Sequence, residues 1–171
     1  MNILAKIDKV IDASLKSITL ICLITLFILL SLNVFFRFVP VYSMGWFDEI
    51  VELSFAYLSF FGAAFLWKRR DHSRIDFIVE KYSNTKIEYF VELGINILGL
   101  IFVLFLFWFS MDLIARATAW SPIFKISRKV FYLCLPLSAA VMAIYAFKDI
   151  IIYTALLFGK DLRSKEAYND Y

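Results

Sequence analysis

Four stretches of this chain carry no charged side chain: residues 17–36, 53–67, 93–111 and 130–147, which are 20, 15, 19 and 18 residues long. A bilayer core is crossed by about 20 helical residues, so each run reads as a spanning segment once its flanks are included. The second run is the shortest and completes a span only if residues 47–52 belong to the same helix. Composition agrees: 62% of the residues are hydrophobic and 19% aromatic, whereas a soluble domain averages nearer half apolar. Mean hydropathy is +0.77. The expected fold is an all-α membrane protein with four transmembrane helices over about 15–37, 47–67, 90–112 and 129–150. They form one domain over 1–171, with a polar tail from about residue 160.

Charge distribution orients these spans. Three Lys or Arg precede the first run, one lies in the first loop, six in the second, four in the third and four at the tail. With four spans the leader, second loop and tail share a side, which places thirteen basic residues against five. The positive-inside rule therefore puts both termini and the loop WKRRDHSRID in the cytoplasm. The first run reads as a retained span, because it is long for a signal peptide and follows a charged, helix-like leader with Lys6, Asp8, Lys9, Asp12 and Lys16. Trp46, Trp67 and Trp108 fall near span ends, as an interfacial aromatic belt requires.

Local signals refine the ends. Thr85-Lys86-Ile87-Glu88 has capping-box spacing and starts the third helix. Ile75, Ile78, Val79 and Tyr82 recur at helical intervals, so residues 74–82 read as a short amphipathic interfacial helix on the cytoplasmic face. Ser121-Pro122 resembles a cap followed by a first-turn proline and predicts a short external helix. Pro136, inside the fourth run, removes a backbone donor and predicts a kink. Whether that helix stops near Lys148 or continues beyond residue 150 is open.

The second helix opens GWFDEIVEL, with Asp48, Glu49 and Glu52 in its first turns. Three readings are open. The acids sit at an external helix end near water, where the helix dipole favours negative charge. They are deep ion or proton carriers, although no acid lies mid-span. Or they form polar contacts that fix a hairpin or a partner, with Arg37 at the outer end of the first span as a candidate mate. Asn33, four residues before Arg37, is expected to bond within the protein, since an amide facing lipid lacks partners. Small residues at Ser59, Gly62, Ala63 and Ala64, and at Ala139, Ala140 and Ala143, permit close helix approach.

Much chemistry is absent from the pattern. A lone histidine, His72, cannot supply bis-histidine haem ligation or a histidine zinc cluster. Cys22 and Cys134 lie inside apolar runs and read as small buried residues. No phosphate loop, nucleophile elbow or cysteine–histidine pair occurs, so no enzyme, cofactor or nucleic-acid partner is expected. Secondary transporters build midplane sites from broken helices in repeated halves; here one proline interrupts one helix. An accessory or scaffold subunit of a larger membrane complex fits better. The alternatives are a membrane anchor of a redox complex and a self-sufficient small oligomeric exporter.

The order of motifs carries a resemblance. NVFFRFV at 33–39, WFDE at 46–49, FFGAAF at 60–65, RRDHSRID at 69–76 and a late proline are similar to the small membrane subunit of tripartite ATP-independent periplasmic (TRAP) transporters. The likeness covers about residues 15–150; Asp71 stands where that family often has Gly. The resemblance implies a multi-pass protein of the bacterial inner membrane. It implies a sodium-driven importer of an organic acid, sialic acid or a C4-dicarboxylate, delivered by a periplasmic substrate-binding protein. The sodium and substrate sites lie in a large subunit, which the small one braces while the transport domain moves like an elevator. Asn33, Arg37, Trp46, Asp48, Glu49, Gly62, Ala63, His72 and Asp76 match the motifs. Together with Glu52 they are expected to hold this subunit's shape and its contacts with the large subunit and lipid.

Overall fold

The computed structural model describes residues 3–38, 45–69 and 86–158. They form α1 (Ile3–Phe38), α2 (Phe47–Lys68), α3 (Lys86–Arg116), α4 (Arg128–Tyr132) and α5 (Cys134–Leu157). Four segments are long and apolar enough to cross a membrane: Lys6–Phe38, Phe47–Lys68, Tyr89–Arg116 and Arg128–Leu157. In lipid a helix satisfies its own backbone groups, so apolar runs of this length adopt no other isolated form. His72, Asp76, the amphipathic segment 74–82, the Thr85 cap and the polar tail lie outside the described residues.

The principal contacts run α1 to α2, α2 to α5 and α5 to α3. α5 is thus flanked on two sides, and 44% of its span window is buried against 11–17% for the other three. The core joins all four long helices through Leu15, Phe61, Ala64, Val103, Cys134, Ala139 and Met142. Ala64 and Ala139 are fully buried; small side chains let backbones approach, and dispersion contact then replaces the hydrophobic driving force that lipid does not supply. Gly62 faces α1, where an added Cβ would meet Thr19 Cγ2 at 3.7 Å. Gly99 of α3 is covered more tightly: a Cβ there would fall 2.6 Å from Cη2 of Trp67. Trp67 therefore packs across the subunit onto α3, a use that its place at a span end did not suggest.

The fourth span is interrupted as Pro136 predicts. Helical pairing breaks at Leu133, because Pro136 has no N–H to give the carbonyl of Tyr132. Leu133 N donates instead to Val130 O at 3.4 Å, and Leu137 N to Leu133 O at 3.4 Å. Beyond the break α5 continues to Leu157. The external helix expected at Ser121-Pro122 is absent. Residues 122–124 make a turn, and the short helix α4 starts later, capped by the Ser127 hydroxyl, which accepts from Lys129 N.

Candidate functional site

Between α3 and α4 the chain folds back as a tight hairpin. Arg128 N donates to Ala119 O at 3.0 Å and Ser121 N to Ile126 O at 2.8 Å, and Trp120 and Ser127 form an antiparallel bridge. Lys125 closes the turn with φ 54°, a left-handed conformation uncommon for a residue with a side chain. The turn's amides point at α2. Ile123 N donates to Glu49 Oε1 at 2.7 Å and Phe124 N to Glu49 Oε2 at 3.1 Å, while the Ser121 hydroxyl donates to Oε2. Glu49 is 6% exposed, so one carboxylate satisfies three donors that otherwise lack partners. Ser121 therefore donates to an acid of another helix and does not cap a helix of its own.

One turn deeper, the Arg128 guanidinium pairs with Glu52 and lies 5.0 Å from the Phe131 ring centroid. The Tyr57 hydroxyl donates to Val130 O at 3.0 Å. Three successive levels of α2 are therefore fastened to the segment 121–131. Asp48 is exposed, which fits an acid at an outer helix end. Glu49 differs: the hairpin removes it from water.

Arg37 takes no part in this arrangement. It is exposed and makes no ion pair among the described residues, because Glu49 and Glu52 find mates in the later loop. Asn33 is also exposed, with no hydrogen bond among the described residues, contrary to the expected internal bond. The reason is local: Leu29 is the last buried residue of α1, and residues 30–35 beyond it are all exposed. Trp46 is half-buried at the N-cap of α2. Gly62 and Ala63 lie on the half-buried side of α2, while Ser59 is exposed.

A second polar cluster, which sequence reasoning missed, lies at the opposite end. Lys68 Nζ is 3.0 Å from Asp8 Oδ2 and 3.2 Å from Asp12 Oδ1, and it also donates to the Asp8 carbonyl at 3.0 Å. The Tyr145 hydroxyl donates to Asp8 Oδ1 at 2.5 Å, and Arg69 lies 3.9 Å from Asp12. This cluster ties α1, α2 and α5 together. The signal available was the four-residue spacing of Asp8 and Asp12, which puts both on one helix face. From Glu49 to Lys68 the rise along α2 is about 29 Å, close to the thickness of about 30 Å for a hydrocarbon core. The two clusters therefore sit at the two membrane edges.

Between them, several polar groups bond locally, whereas the buried Thr19 hydroxyl has no partner among the described residues. Ser110, Ser138 and Thr154 donate to the carbonyls of Phe107, Leu135 and Ile150, and Asn96 to that of Glu92. The buried acids Glu92 and Asp149 lie near the inner ends of α3 and α5, and both have polar partners. Among the described residues no group of His, Cys, Asp and Glu is arranged to hold a metal ion. Both clusters join helices to one another.

A comparison with curated proteins gives no match. The family model described as "Tripartite ATP-independent periplasmic transporters, DctQ component" matches residues 26–153. That span is three quarters of the chain. It contains the outer cluster, the nine motif residues and Glu52, whereas Asp8 and Asp12 precede it. The chain therefore belongs to the DctQ component family of TRAP transporters, as a small multi-pass subunit of the inner membrane.

Proposed function

We propose that this subunit is a fixed brace for the large, elevator-type membrane subunit of a sodium-coupled importer. The solute is an organic acid, sialic acid or a C4-dicarboxylate, handed over by a periplasmic binding protein. The sodium and solute sites belong to the large subunit. The observation that carries the reading is the outer third of α1, where residues 30–35 are all exposed in this chain. That segment presents Asn33 and Arg37 four residues apart, and an amide at membrane depth is costly without a partner. A partner helix in the complex supplies both the apolar cover and the hydrogen bonds.

The test is an affinity pull-down of the chain, tagged at its cytoplasmic tail, from gently solubilised native membranes. A large polytopic subunit is expected in near-equal amount with the wild type, and several-fold less with Asn33→Leu/Arg37→Ala. Thermal melting of the purified double variant separates lost assembly from lost folding. Undiminished recovery of the large subunit by a well-folded variant would sink the assignment of this face. Uptake of labelled sialic acid or succinate by the reconstituted complex, with and without a sodium gradient, then identifies the solute class.

A further inference from the structure

We infer that the hairpin over residues 119–128 is a membrane-surface anchor, seated in the anionic headgroup layer of the outer leaflet. Its depth follows from its contacts. Ile123 and Phe124 hang on Glu49 in the first turn of α2, and Arg128 reaches Glu52 one turn further in. α2 has 22 residues, only just enough to span, so its first turn has to lie at the headgroup boundary. The hairpin beside that turn lies at the same level rather than out in the water.

Its chemistry suits that level. Trp120, Ile123 and Phe124 are 65%, 50% and 45% exposed, an apolar set with an indole among it, as interfacial anchors carry. Around them are Arg116, Lys125, Arg128 and Lys129, and no acid occurs anywhere in residues 113–148. Arg128 is engaged by Glu52, and Arg116 pairs with Asp112 at 2.9 Å; Lys125 and Lys129 are exposed and make no ion pair among the described residues. A cationic, aromatic surface at headgroup depth attracts anionic phospholipid. It is also preorganised, because Glu49 and the backbone pairs hold the turn before lipid arrives, which leaves little ordering cost on contact.

The complex of this chain with its large subunit is reconstituted in phosphatidylethanolamine–phosphatidylglycerol vesicles. The acyl chains are brominated at shallow or deep positions. Emission of wild type minus that of Trp120→Phe isolates Trp120. The expected difference signal is quenched more by shallow than by deep bromine, and barely by acrylamide in the water. Quenching by acrylamide alone overturns the inference in favour of a surface for a soluble partner. Quenching by neither overturns it in favour of cover by the large subunit. In parallel, Lys125→Gln/Lys129→Gln is purified with its retained lipid. Enrichment of phosphatidylglycerol should fall about five-fold for each lysine removed, with thermal melting unchanged; unaltered enrichment overturns the role given to charge.

Discussion

At the scale of single residues, Glu49 decides the outer end of this subunit. Removing it strands the Ser121 hydroxyl and two backbone N–H groups together, and unsatisfied donors are costly where they are shielded from water. In spheroplasts, which expose the outer face, Glu49→Ala should speed tryptic cleavage at Lys125, Arg128 or Lys129 at least ten-fold. Ser121→Ala removes one donor along with its need and should have a smaller effect. Asp48→Asn, at an exposed position, should change nothing. Equal sensitivity of Asp48→Asn and Glu49→Ala would show that the charge, not the hydrogen bonding, holds the hairpin. The place of the acids at the start of a helix was legible in GWFDEIVEL. Their partners were not, because they lie 72–76 residues away and two of the three groups on Glu49 are backbone amides, which leave no mark in a sequence.

At the scale of elements, the four spans were legible from the uncharged runs, and the break at Leu133 from Pro136. Which helices touch was not. Phe, Leu and Ile serve equally against lipid and against a neighbour, so the contact order α1–α2–α5–α3 leaves no periodic trace. Glycine shows the difference. Gly94 has nothing within 4 Å of an added Cβ, whereas Gly99 lies under the Trp67 ring. Gly94→Ala should therefore be neutral or stabilising by about 0.5–1 kcal/mol, and Gly99→Leu should cost about 1–3 kcal/mol by overpacking. Thermal melting of the two purified variants checks this; equal melting would mean that Trp67 does not pack on α3. The inner cluster offers a second comparison. Tyr145→Phe removes one bond to Asp8 and leaves its ion pair with Lys68 in place, while Asp8→Ala removes both side-chain attachments and leaves Lys68 only Asp12 and the backbone carbonyl of residue 8. The second variant should melt lower, although the partly exposed ion pairs contribute no more than about 1 kcal/mol each.

For the whole molecule, fastenings near both membrane edges join α2 to the 121–131 segment at one end and to α1 and α5 at the other. Charge reversal of Asp48 and Glu49 together, to lysine, should lower recovery of the large subunit and solute uptake in parallel. Uptake at the wild-type level with normal co-purification would remove the outer cluster from that role. The separation of partners along the chain also sets a timetable for biosynthesis. Glu49 emerges from the ribosome with the first helical hairpin, but Phe124 follows it by 75 residues, about 4–15 s later at ordinary translation speed. Throughout that interval α2 is in the membrane with its outer carboxylate still without the hairpin's donors. The last loop to be translocated therefore supplies the hydrogen-bond donors for an acid inserted well before it.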